Sequence, residues 1–440
     1  MKISVGILAA NQVNFFLNGE YICEQTKEIL SGAFTLKAET LSLNSSPVNL
    51  PLTFTPVNED KSDFELADVV IGIDFHWERK EKQCFKGALH FIPENGLLRV
   101  VNIIDIEDYL LSVISSEMSA TSSLELLKSH AIISRSWLIA QIEKSRSLVK
   151  QQISNYHYNR KSQKPENENE RIIWFDREDH SDFDVCADDH CQRYQGISRI
   201  STPLVEQAVK ETCGIVLMYD GEICDARFSK CCGGVSENFE NVWEPIPHEY
   251  LTSVYDGENT TTDLSDETTF KKWLTNSPNV FCNTTDKHIL SDVLNDYDLE
   301  TANFFRWEVH YTQKEISQLI KERLSVDFGA ITDLIPLERG VSGRLIRLKI
   351  CGELREMIIG KELLIRKALS RSHLYSSAFI VEKITENGTI KGFTLKGAGW
   401  GHGVGLCQIG AAVMGHKGYT YKEILMHYFK GAELKNISDE

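Results

Sequence analysis

The sequence predicts an α+β fold with mixed β-sheets, several helices and a β-rich N-terminal region. Three observations carry this. Short apolar runs punctuated by Gly and Asp fill roughly the first hundred residues. Two helix patterns with N-terminal cap signals follow between residues 103 and 142. Strand patterns then return over residues 343–395, ahead of two short C-terminal helices. With 440 residues, 42% of them hydrophobic, the chain can bury a substantial core without disulfide staples.

Taken in order, Ile3, Val5 and Ile7 alternate with neighbours that face the other way, as in an opening strand. Further strands are expected at 33–36, 69–75 and 97–101, because Gly32, Asp68 and Gly96 mark their starts. Residues 103–113 predict a helix that begins near Asp105. In the next helix Ser122 and Glu125 fit a capping box, and Leu124, Leu127, Ala131, Leu138 and Ile142 recur at helical spacing. Arg135 falls at the edge of that apolar arc, where a guanidinium needs a partner if it is buried. Residues 144–170 are polar and predict a loop. Residues 256–300, rich in Asp, Asn and Thr, predict a surface insertion. Thr312 and Glu315 cap a helix within 306–324, strands follow at 345–350 and 378–384, and a helix is expected over 408–414. Thr420 and Glu423 cap a last helix, which Gly431 ends. The expected division is a β-rich region over 1–95 and a second region over 96–435.

The formal net charge of −16 argues against a general nucleic-acid binder, whose footprint is a basic face. No run of eighteen apolar residues occurs, so no transmembrane segment is expected. The N-terminus carries no clear export signal, and the 11 cysteines, an odd number, fit a reducing compartment better than a disulfide framework. As it stands the sequence therefore predicts a cytoplasmic location, or the cell envelope if an export signal has been removed.

Four places could carry chemistry. Glu117 sits in Ser115-Ser116-Glu117-Met118-Ser119. In solvent it would be an ordinary carboxylate; in a dry cleft it could act as a general acid. His180, Cys186, His190 and Cys191 supply nitrogen and sulfur donors within about a dozen residues, a zinc-like set without standard finger spacing. Free thiols, a Cys186–Cys191 disulfide, or a further ligand from Cys231 or Cys232 are alternatives. Cys231-Cys232-Gly233-Gly234 predicts a tight turn. The segment Gly397 to Gly405, with Trp400 and His402, has the glycines of a dinucleotide motif but no βαβ context. There the backbone can approach a ligand closely, Trp400 could stack on a sugar face, and His402 with Cys407 could form a Cys–His pair.

Taken together and in order, these segments resemble the SpoIID/LytB family of sporulation and cell-wall proteins. The resemblance runs over about residues 95–435. It is carried by Asp108-Tyr109-Leu110 to Ser116-Glu117-Met118, by Ala131 with Ser134-Arg135-Ser136-Trp137, and by Cys191 to Gly196. Phe228 to Gly234 with Trp243, Arg339-Gly340-Val341-Ser342-Gly343-Arg344, and Gly399 to Ala411 with His427-Tyr428-Phe429-Lys430-Gly431 complete it. Cys407 departs from the pattern, since Ser is common there. The resemblance implies a SpoIID-like fold with a central cleft, and a peptidoglycan substrate whose MurNAc–GlcNAc β-1,4 bond is cleaved in stem-peptide-free strands. Glu117 would be the acid, and Arg135, Tyr194, Trp400, His402 and Gln408 would contact substrate. A structural zinc would be held by His180, Cys186 and Cys191, with His190 as an alternative. A non-catalytic amidase enhancer, partnered by a cell-wall amidase, carries much the same motifs, and a zinc hydrolase centred on His180, Cys186 and Cys191 is a third possibility.

Overall fold

In the computed structural model, which describes residues 1–71, 79–150, 169–174, 180–188, 190–199, 202–258, 262–293 and 303–437, the α+β class is borne out. The chain forms two compact units. Met1–Arg135 joins Arg177–Ile215 in unit 1, and Ser136–Asp176 joins Val216–Glu440 in unit 2.

Unit 1 is built on one large sheet. The opening strand Lys2–Ala10 pairs antiparallel with Leu97–Asp105, which pairs in turn with Ala88–Glu94. Alternation does the sorting. Ile3 and Val5 turn inward, as do Leu98 and Val100 on the partner strand, and all four are buried. The rings of Phe15, Phe54 and Phe91 pack against one another at tilted and edge-on angles. Val185–Cys186 adds a short parallel strand to the edge of Lys2–Ala10, with Val5 opposite Val185 and Gly6 opposite Cys186. The division expected at residue 95 falls at a hairpin turn inside this sheet.

Helix α1, Ile106–Glu117, starts where Asp105 accepts the Glu107 amide at 2.9 Å. It buries Tyr109, Leu110, Val113 and Ile114. Helix α2, Leu124–Lys150, begins at Leu124, and Ser123 Oγ accepts the Leu126 amide at 3.4 Å. The helix runs six residues past the start of the polar stretch read as a loop. Residues 151–168 of that stretch, and 72–75 of the strand expected at 69–75, lie outside the described residues.

Unit 2 centres on two sheets. Ile331–Arg339, Leu345–Gly352 and Glu356–Gly360 form an antiparallel meander, with Glu170–Ile172 at its edge. Arg306–Thr312, Thr389–Ala398 and Phe379–Glu386 form the other. The helix Gln313–Leu324 presses Ile316, Ile320 and Leu324 into their shared core. Its Thr312–Glu315 capping box is complete, and so is the Thr420–Glu423 box before Tyr421–Tyr428.

Of the segment 256–300 read as a surface insertion, the described residues 256–258 and 262–293 are instead packed. They contain the helices Glu267–Thr275 and Lys287–Val293 and bury Asp256, Phe270, Phe281 and Cys282. Their Asp, Asn and Thr content masked the few apolar anchors that fix them. Among the described residues no helix is long and apolar enough to cross a membrane.

Candidate functional site

Glu117 is the last residue of α1 rather than part of the turn that follows. It is half-buried, and its Oε1 accepts the Arg193 amide at 2.8 Å.

The Arg193 amide belongs to the turn carrying the first cluster of metal-type donors. His180, Cys186, His190 and Cys191 bring one donor atom each to within 4.8 Å of the others. Cys191 Sγ lies 3.5 Å from His180 Nε2 and 3.5 Å from His190 Nδ1, and Cys186 Sγ lies 3.7 Å from His190 Nδ1. Around a tetrahedral zinc, bond lengths of about 2.3 Å to sulfur and 2.05 Å to nitrogen put sulfur and nitrogen about 3.6 Å apart. The residues present therefore fit such an ion. The Cys186 thiol is lowered to about 2, first by the Cys191 hydrogen bond and then by those of His180 and His190 against the cost of burial. A cavity of about 210 Å³ beside the cluster is lined by Arg99, Arg193 and Tyr194 as well as cluster residues. Glu117 is not among its lining residues.

Arg135 is placed differently from the expected substrate contact. Its side chain is 1% exposed and committed on both edges. Nε and Nη2 grip Glu107 at 2.9 and 2.5 Å, while Nη1 donates to the Ile215 carbonyl at 3.0 Å. That bidentate pair fastens the first turn of α1 to α2. Tyr194 is also buried. Its hydroxyl donates to Asn102 Oδ1 at 2.6 Å, and its ring stacks on Tyr109 with centroids 5.0 Å apart. Burial raises the phenols of both.

Trp400, His402 and Gln408 belong to unit 2. Gly399, Gly401, Gly403 and Gly405 all have φ between 73° and 91°, the left-handed region that glycine enters freely. The need is also steric, since a Cβ on Gly403 would meet Arg344 Cζ at 2.3 Å. Trp400 keeps part of its ring exposed between Phe304 and Tyr375, with centroids at 4.7 and 4.5 Å. His402 Nδ1 accepts the Val404 amide at 3.0 Å, and the ring meets Trp243 edge-on. Burial, then the charges of Arg227, Arg344 and Arg366, push its imidazole well below the usual range, so it is neutral near pH 7. Gln408 is buried at the start of the helix Gln408–His416.

Cys231 and Cys232, considered as further ligands for the first cluster, gather elsewhere. Cys232 joins Asp256, Cys282 and Cys407 in a second, fully buried group within unit 2. Sequence reasoning missed this group because its members are far apart in the chain. The one signal was the number of cysteines. It also missed Glu107, whose position in the first turn reads equally well as dipole compensation.

Residues 94–219 match the family model described as Stage II sporulation protein, and residues 237–405 match one described as a domain of unknown function, DUF8618. An uncharacterized protein of Brachyspira hyodysenteriae is 26% identical over 416 residues, covering 94% of this chain and 86% of its own. Stage II sporulation protein D of Bacillus amyloliquefaciens is 25% identical over 342 residues, covering 76% of this chain and 75% of its own. The protein of the same name from Bacillus subtilis is 25% identical over 339 residues, with the same shares. Residues 94–219, which hold α1, α2 and the donor cluster, thus form a region of the stage II sporulation protein family, and the chain is similar over three quarters of its length to the two proteins named stage II sporulation protein D.

Proposed function

We propose that the chain is a peptidoglycan lytic transglycosylase in which Glu117 acts first as acid and then as base. Family membership supports a cell-wall-related role. The observation that carries the finer reading is the hold on Glu117. Its carboxyl group stands at a helix end and is fixed by the Arg193 amide at 2.8 Å.

A single carboxyl group suffices for this chemistry, whereas ordinary glycosidases need two. The protonated Glu117 gives its proton to the glycosidic oxygen as the bond from MurNAc C1 breaks. The resulting carboxylate takes the proton of the same sugar's C6 hydroxyl, whose oxygen closes on C1. The products are a 1,6-anhydroMurNAc end and a free GlcNAc hydroxyl. Arg135, closed off by Glu107, positions α1 rather than touching sugar. His180, Cys186, His190 and Cys191 would hold a structural zinc, which would stiffen the turn whose Arg193 amide reaches Glu117.

The test is digestion of stem-peptide-free glycan by wild type and Glu117→Gln. Glutamine keeps the side-chain shape and cannot give up a proton as an acid. The expected loss of anhydro ends is on the order of 10²–10⁴-fold. An unchanged rate would remove Glu117 from the mechanism, and a folded wild type that yields no anhydro ends would leave a binding role such as amidase enhancement.

A further inference from the structure

We propose that Cys232, Asp256, Cys282 and Cys407 form a second metal site, taking one zinc-like divalent ion into the core of unit 2. Their donor atoms lie within 4.8 Å of one another, and all four residues are buried. Cys232 Sγ and Cys282 Sγ are 3.7 Å apart. Two thiolates on one tetrahedral zinc, each at about 2.3 Å, stand about 3.8 Å apart. A covalent disulfide would need about 2.05 Å. Three sulfurs and one carboxylate oxygen make a closed four-coordinate set, the pattern of a structural rather than a catalytic ion.

The surroundings match a ligand shell. Cys407 Sγ accepts the Cys232 amide at 3.2 Å, and Cys232 Sγ accepts the Gly234 amide at 3.4 Å. Asp256 is oriented on both oxygens, by the Tyr428 hydroxyl at 2.6 Å and the Cys282 amide at 2.8 Å. Such outer contacts aim first-contact ligands at a metal. Charge closes the argument. Asp256 is 1% exposed and accepts from the Tyr428 hydroxyl and the Cys282 amide, and a buried carboxylate without a cation is costly. Three thiolates, one carboxylate and a divalent ion leave two negative charges. Two guanidiniums lie close by. Arg344 donates to the Cys232 carbonyl at 3.1 Å, and Arg306 donates to the Gly233 carbonyl at 3.4 Å, within electrostatic reach of Cys231, Cys232 and Cys282.

The ion would tie the Cys231–Gly234 turn, Asp256, Cys282 and the start of the Gln408–His416 helix to one point. This holds whatever reaction unit 1 performs.

The experiment is native mass spectrometry of the full chain loaded with Zn²⁺, comparing wild type, Cys186→Ser and Cys407→Ser. Serine fits position 407 by size. Cys186→Ser disables the first cluster and is expected to retain one ion. Cys407→Ser is expected to carry one ion fewer than wild type. A Cys186→Ser chain with no ion, a folded Cys407→Ser chain with the wild-type count, or a chain lighter by two hydrogens with Cys232 joined to Cys282 would each overturn the proposal. Should Cys407→Ser fail to fold, the count in Cys186→Ser decides.

Discussion

Arg135 shows how far a single side chain can be read from sequence. Its place at the edge of an apolar arc announced that it needed a partner. The partner, Glu107, lies 28 residues earlier, and no local rule names it. Removing one half of a buried pair strands the other charge, so Arg135→Ala should lower unfolding free energy by about 3 kcal/mol. Denaturant titration checks this, and a change under about 1 kcal/mol would mean that the pair is replaceable. Glu117 was legible only through its motif, since a carboxylate near a turn is usually solvated. His402 gives a pH signature. Its folded-state pKa lies below the unfolded value near 6.5, so the unfolded chain takes up the proton first. Stability is therefore full above about pH 6.5 and declines as the pH falls below it. His427, lowered to about 4 by burial and then by Lys430, adds to the same slope. Melting curves between pH 7 and 5 should show it, and His402→Gln should flatten it. A slope of opposite sign would contradict the neutral ring.

Secondary elements were the most readable level. Alternation located the opening strand, and the Thr312–Glu315 and Thr420–Glu423 boxes located two helix starts, because these signals act within four residues. Thr312→Ala should cost about 1 kcal/mol by leaving the first-turn amides without their acceptor. Helix content and thermal midpoint measure this, and an unchanged midpoint would show that tertiary packing alone holds the helix. Misreadings arose where local and tertiary signals parted. Ser122 looked like the cap, yet the helix begins at Leu124, with Ser123 Oγ on the Leu126 amide. The 256–300 segment looked solvated, because Phe270, Phe281 and Cys282 are too few to make a period and bury by long-range contact.

The whole chain places Glu117, Arg135, Tyr194 and the His180–Cys191 cluster in unit 1, and Trp400, His402 and the second cysteine cluster in unit 2. Donor types for the first cluster could be read from sequence because its ligands fall within a dozen residues. The second cluster spans residues 232–407 and became visible only when the chain was folded. If zinc braces the Arg193 turn, stripping metal from the full chain should lower kcat more than it raises KM. Adding Zn²⁺ back should restore the rate, and an unaffected rate would separate Glu117 from the cluster.

The most direct measurement of the central claim is digestion of stem-peptide-free glycan in ¹⁸O-labelled water, with the new ends read by mass spectrometry. Attack by the sugar's own C6 hydroxyl predicts products lighter by one water than hydrolytic ends, without ¹⁸O, from wild type and not from Glu117→Gln. Reducing ends that carry ¹⁸O, or equal product from the variant, would contradict it.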